Sequence, residues 1–236
     1  MKSKELEILA NKLRQIFKNV FENLKNKELT NKTLDSEVLN ELKNFNILED
    51  HLEIKFSEPQ DSIYSVEGGR TPYDLLCFGK INGKEFKIFI NNKFGNLYSN
   101  ARNDVTTYNN LLRLYLGITR QRLTSKITID VELIYKRISG EEIIGYGIFV
   151  VDNKKRGAKF FLLEEIHDDF YVNPRNTMFQ IKYNPSLGKP KDYYLFVIEL
   201  MDSILESLQK NLNTIKTEII VLSEIKHQIM EIKKRG

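Results

Sequence analysis

Apolar side chains in the first 25 residues recur at Leu6, Leu9, Leu13, Ile16, Phe17, Val20, Phe21 and Leu24, steps of three and four that gather them on one helical stripe. Residues 34–45 repeat the pattern with Leu34, Val38, Leu42 and Phe45, behind Thr33 as a candidate N-cap. The period then shortens and predicts strands at 51–57, 73–80 and 84–91. The last two are joined by Asn82-Gly83, the strongest local signal for a tight hairpin. After Lys93 a polar stretch leads into an expected helix over 103–117, with Val105, Tyr108, Leu112 and Tyr115 on one side. Further strands are expected at 127–138, 143–151, 159–164 and 178–183. From Pro190 onward, three-and-four spacing continues for some forty residues, from Val197 to Ile232, longer than an ordinary globular helix. Two readings stay open there: one long helix packed on a partner subunit, or a helical hairpin turning near Asn211-Asn213. The expected division is a core over 1–189 with an appended helical segment over 190–236 for packing or dimerisation.

Composition narrows the function classes. At 236 residues, 41% hydrophobic and 29% charged, the chain reads as one generous folded domain. A lone Cys77 excludes an internal disulfide framework and a thiolate zinc site, and fits a reducing cytoplasm. No apolar run approaches a membrane span, and the first residues form an amphipathic helix pattern without a signal-peptide core, so neither membrane nor secretion is expected. His51, His167 and His227 are too scattered for a histidine metal site or triad, and glycine-rich nucleotide loops are absent. Net charge is +4, yet residues 93–126 hold Lys93, Arg102, Arg113, Arg120, Arg122 and Lys126 against Asp104 alone. The basic character belongs to this one segment, as expected of a localised polyanion site.

The candidate chemistry lies just upstream of that segment. Asp74 opens one arm of the hairpin, and Asn91 and Lys93 stand at the exit of the other, two apart and therefore on one face. In a twisted hairpin these ends adjoin, so the three converge on a rigid apolar base of Leu75-Leu76 and Ile88-Phe89-Ile90. A carboxylate and a carbonyl oxygen suit Mg²⁺, a hard cation that polarises a phosphoryl group and acidifies bound water. A lysine beside it orients that water or offsets developing charge. The plainer reading of an Asp and a Lys at hairpin ends is a pair of solvated strand termini. Glu53-Ile54-Lys55 is a weaker competing pair, with Asp50 too close to start a separate strand. Glu164, Glu165, Asp168 and Asp169 read as a solvated turn, and Cys77 as a small core residue.

On these residues the sequence resembles the PD-(D/E)XK nuclease superfamily, and within it the type II restriction endonucleases, over about residues 33–126. Pro72-Tyr73-Asp74 stands for the PD element with one inserted residue, and Asn91-Asn92-Lys93 for (D/E)-x-K. The departure is Asn91, a neutral residue where the second carboxylate is usual, a replacement known among restriction enzymes. The resemblance implies an α/β (α+β) fold, restriction-endonuclease-like, with a central mixed sheet of five to six strands flanked by helices. It implies Asp74 and Asn91 as metal ligands, Lys93 as the catalytic lysine, and Mg²⁺ as cofactor with Mn²⁺ as a substitute. It also implies a glutamate from a helix before the sheet, for which Glu41 is preferred over Glu37, Glu58 and Glu67.

The expected activity is site-specific hydrolysis of double-stranded DNA at a palindrome. Arg102, Asn103, Arg113, Arg120, Arg122 and Lys126 would lie on the DNA, the cations on phosphates and Asn103 among candidate base readers. A homodimer, cytoplasmic location and a cognate DNA methyltransferase in the same cell are expected with it. The alternatives are a DNA-binding dimer with a decayed nuclease core and a structure-specific repair nuclease on the same fold.

Overall fold

Asn82 and Gly83 both take left-handed backbone, with φ of 51° and 77°, so the two-residue turn matches the twist of the strands it joins. It closes β3 (Leu75–Ile81) onto β4 (Lys84–Gly95) in antiparallel register, with Ile81 opposite Lys84 and Leu75 opposite Ile90. In this computed structural model, residues 3–43, 45–59, 72–117, 130–154, 156–167, 170–173 and 178–235 are described.

The hairpin is the centre of a six-stranded mixed sheet. β1 (Ile47–Glu49) and β2 (Leu52–Ser57) extend it antiparallel on the β3 side. On the other side, β6 (Glu142–Asp152) runs parallel to β4, and β7 (Ala158–Leu162) completes the edge, giving the order β1-β2-β3-β4-β6-β7. β6 is buried along nearly its whole length, as a strand covered on both faces must be. A second, three-stranded sheet is formed by β5 (Arg102–Thr107), β8 (Tyr171–Val172) and β9 (Met178–Lys182) in the order β5-β9-β8.

Each face of the large sheet has its own core. On one, α1 (Ser3–Leu24) and α2 (Leu34–Leu42) lay Leu9, Leu13, Phe17, Val38 and Leu42 over Ile54, Cys77, Ile88, Ile90 and Phe149. On the other, Phe89, Tyr146, Ile148 and Phe161 meet α3 (Tyr108–Leu116), the small sheet and the first turns of α5 (Tyr193–Arg235) through Leu111, Tyr115, Phe179, Phe196 and Leu200. The alternation along β4, Ile88 and Ile90 one way and Phe89 the other, is what ties both cores to one strand. This is the mixed α/β, restriction-endonuclease-like architecture expected.

Three expectations are corrected. Residues 103–117 are not one helix: Val105-Thr106-Thr107 stay in β5, Thr106 and Thr107 paired with β9 and Val105 at a register shift, and the helix begins only after Thr107, whose hydroxyl accepts from the Asn110 N–H. The strand expected over 127–138 is instead, from Val131, the helix α4 (Val131–Ser139), capped by the Asp130 side chain and ended by left-handed Gly140; residues 127–129 lie outside the described residues. Arg137 of α4 is buried and donates to the Leu114 and Tyr115 carbonyls, fastening the end of α3. The hairpin alternative at Asn211-Asn213 fails because the helix runs through it, with Gln209 donating to the Asn213 side chain one turn on.

Gly79 marks the closest approach between β2 and β3: a Cβ there would lie 1.9 Å from the Glu53 carbonyl oxygen, at φ +155°. Gly79→Ala therefore lowers stability by about 3 kcal/mol, read as a drop in the urea midpoint; an unchanged midpoint would contradict this packing.

Candidate active site

β4 outruns its hairpin partner. The Asp74 N–H donates to the Ile90 carbonyl at 2.8 Å, which places Asp74 across from Asn91 just before β3 begins. Beyond that point β4 continues as far as Gly95 because β6 carries it, with Asn91 paired to Ile148 and Lys93 to Val150. Strand parity then sends Asn91 and Lys93 to one side and Asn92 to the other. The Asn91 amide donates to the Tyr146 hydroxyl at 3.2 Å and the Lys93 ammonium to the Val105 carbonyl at 3.1 Å. The Asn92 amide donates instead to Asp35 on α2 at 3.1 Å, while the Asn92 backbone N–H donates to the Asp74 carboxylate at 2.7 Å. Asp35, Asp74, Asn91, Asn92 and Lys93 line a cavity of about 450 Å³, joined by Asn103, Asp104 and Tyr183 from the side of the small sheet.

Burial and neighbouring charge work against ionisation here. Burial, then the Asp35 charge, push the Asp74 carboxyl up to about 6, against the Asn92 N–H and the Lys93 charge. Burial also lowers the Lys93 ammonium from its ordinary value, opposed by Asp74, Asp35 and Asp104. A buried acid and a buried base displaced toward their neutral forms are what proton-handling sites require. The side-chain oxygens of Asn91 and Asn92 are buried without a hydrogen-bond partner. The two carboxylates and the unpartnered Asn91 amide oxygen make an all-oxygen donor set, and it fits a hard divalent cation. Among the described residues no group of three or more His, Cys, Asp or Glu could hold a metal, so what these residues offer beyond the two carboxylates is amide and carbonyl oxygen.

Of the residues expected from sequence, Asp74, Asn91 and Lys93 meet at this cavity, and Glu41 does not. Glu41 accepts from Lys27 and Asn23, and Glu37 from the same Lys27, on a flank of α2 turned away from the site. Glu58 is exposed past the end of β2, and Glu67 lies outside the described residues. The carboxylate that α2 does deliver is Asp35. No stripe announces it: the buried face of α2 is Leu34, Val38 and Leu42, and Asp35 stands exposed beside Leu34 at the first turn. Glu53 is taken up by Lys55 of its own strand. Glu164 and Glu165 are not a solvated turn but buried, accepting from the Tyr115 hydroxyl and from Arg14 respectively; Asp168 and Asp169 lie outside the described residues.

The expected DNA-facing residues divide. Arg102 is exposed, its guanidinium 4.8 Å above the Tyr171 ring, and Asn103 is half-buried at the cavity. Arg113 is 5% exposed, packed into α3's inner face where burial lowers its ordinary pKa, so it is not displayed to a polyanion. Arg120, Arg122 and Lys126 lie outside the described residues.

No protein-family model matches the chain. A relative does: the type II restriction enzyme MjaIV of Methanocaldococcus jannaschii is 67% identical over 231 residues, covering 98% of this chain and 94% of that protein. The chain belongs to the type II restriction enzymes. It is accordingly an enzyme, a site-specific endonuclease.

Asp74 gives the metal-free protein a definite pH dependence. Its carboxyl ionises near 3.8 when unfolded and near 6 when folded, so folding opposes ionisation. This contribution to stability is highest at or below pH 4, falls as pH rises through the window between these values, and stays low above it. In EDTA, Asp74→Asn should raise the melting temperature at pH 8 and lose that advantage near pH 4. Equal effects at both pH values would contradict the burial of Asp74.

Proposed function

We propose that the chain hydrolyses phosphodiester bonds of double-stranded DNA at a palindromic sequence, with Asp74 and Asn91 as ligands of Mg²⁺, for which Mn²⁺ can substitute, and Lys93 as the catalytic lysine. The observation that carries this is the convergence of Asp74, Asn91 and Lys93 on one cavity at the end of a central hairpin, in a chain that belongs to the restriction enzymes. It accords with the resemblance of these residues to the PD-(D/E)XK superfamily. Asp35 takes the place foreseen for Glu41 as the helix-borne carboxylate.

The cation supplies charge for the scissile phosphate and acidifies a bound water. The chain's own groups do the rest. Asp74, held by the Asn92 N–H, presents its carboxylate at the rim of the sheet. Lys93, steered by the Val105 carbonyl, holds its ammonium inside the cavity, where its lowered pKa eases release of a proton from Nζ to the leaving oxygen as the P–O bond breaks. Arg102, on the exposed strand leading from the cavity, is suited to a phosphate, and Asn103 to a base edge. Arg120, Arg122 and Lys126 extend the same basic segment in sequence.

A palindrome calls for a two-fold dimer. α5 carries two stripes: Phe196, Val197, Leu200 and Ile204 are buried against the core, while Ile198, Met201, Leu205, Leu208, Leu212 and Ile215 are exposed at alternating steps of three and four. That second stripe has the spacing of a coiled-coil seam and suits a second copy of the chain. Residues 190–236 thus serve as the assembly element on a core of residues 1–189. A cytoplasmic setting with a cognate methyltransferase protecting the host's own sites completes the reading. A decayed binder and a repair nuclease lose ground to the restriction enzyme at 67% identity.

Plasmid incubated with the protein and Mg²⁺ should give discrete bands that EDTA abolishes. Asp74→Asn and Lys93→Ala should each lower the cleavage rate by about a hundredfold or more with circular dichroism unchanged; full activity in either would overturn the site. Leu208→Lys with Leu212→Lys should convert a dimer to a monomer by light scattering; an unchanged mass would rule out the seam.

A further inference from the structure

We infer that Tyr146 is a positioning residue that locks the Asn91 side chain with its amide oxygen toward the cavity, so that position 91 is built for a neutral amide and is not a carboxylate site that has been lost. This rests on the reading of Asn91 as a metal ligand.

Tyr146 sits on β6, completely buried, 55 residues from Asn91 in sequence and one strand away in space. Its hydroxyl donates to the Pro72 carbonyl at 2.7 Å, and that commits its single proton. It can then only accept, and it does so from the Asn91 amide at 3.2 Å. The second oxygen within reach of the same amide nitrogen is the Val105 carbonyl, at 3.5 Å, again an acceptor. Both partners of the Asn91 amide nitrogen, the Tyr146 hydroxyl and the Val105 carbonyl, therefore call for N–H. A flipped amide would set its oxygen against two acceptors, so the oxygen is held on the other side, buried and unpartnered, in a residue that lines the cavity with Asp74 and Lys93.

The same phenol fixes the opposite arm of the site. Pro72 lies two residues before Asp74, so the Tyr146 hydroxyl bonds at once to the approach to β3 and to the side chain on β4. An aspartate at position 91 would forfeit the donor and bring a second charge against two acceptors, beside a carboxyl already destabilised by burial and by Asp35. Restoring the usual carboxylate would work against the fold around it.

The test is Mn²⁺ binding to the metal-free full chain without DNA, followed by the paramagnetic resonance signal of the free ion, for Tyr146→Phe, Asn91→Asp, the double variant and Asp74→Ala. Tyr146→Phe keeps the ring and its packing, and thermal melts confirm folding of each variant. The expected result is that Tyr146→Phe weakens Mn²⁺ binding by roughly tenfold, whereas loss of stability alone would leave affinity unmoved. Asn91→Asp should fail to tighten binding in the native background, and should be less harmful when combined with Tyr146→Phe, which removes one acceptor, a non-additive pair. Tighter Mn²⁺ binding in Asn91→Asp alone, or unchanged binding in Tyr146→Phe, would overturn the lock. If Asp74→Ala also leaves binding unchanged, the metal-site reading falls with it; if Asp74→Ala weakens binding and Tyr146→Phe does not, only the lock falls.

Discussion

The parallel pairing of β4 with β6 is the constraint on which the site depends. β3 supports β4 only as far as Ile90, yet the ladder to β6 continues in register to Gly95. Without that support, Asn91-Asn92-Lys93 would be the frayed end of a hairpin, and their alternation to opposite sides would have no fixed meaning. With it, Asn91 and Lys93 face the small sheet and Asn92 faces α2, so the two sides of one strand gather groups from both cores. The cavity opens where β3 stops covering β4, which lets buried backbone hold polar side chains at an accessible edge.

That placement has an energetic consequence. Asp74 and Lys93 are both shifted toward neutrality by burial, Asp35 adds like charge, and two amide oxygens have no partner. Each of these disfavours the metal-free fold. The carboxyls and amide oxygens suit a hard cation, whereas Lys93 is a buried base set beside them, and the fold gives up stability to hold both. The apolar base beneath, Leu75, Ile88 and Ile90 on one face and Leu76 and Phe89 on the other, supplies the rigidity that keeps the pocket from relaxing.

Local chemistry in the sequence was enough to place the hairpin and three of its polar termini. Asn82-Gly83 dictates a two-residue turn, and parity puts Asn91 and Lys93 together whatever surrounds them. Helix phase does not mark Asp35, which is exposed beside the buried stripe of Leu34, Val38 and Leu42, while Glu41 is bound by Lys27 and Asn23 on another flank. Tyr146 was out of reach, because a parallel register across 55 residues leaves no local trace. The misread elements have different causes: α4 takes its helix from local signals, the Asp130 cap and Gly140 stop, which outweigh a period-two appearance, whereas Thr106-Thr107 takes its strand from pairing with the distant β9, which no local pattern shows. The basic window divided for a similar reason, since charge counted along the chain does not say that Arg113 points inward.

Crystallographic location of Mn²⁺ by anomalous scattering, with the full chain bound to its DNA and Lys93→Ala blocking cleavage, tests the central claim most directly. A peak at coordination distance, roughly 2.2 Å, from both the Asp74 carboxylate and the Asn91 amide oxygen is the predicted result. A peak ligated elsewhere, or Asn91 turned with its nitrogen to the metal, would contradict it.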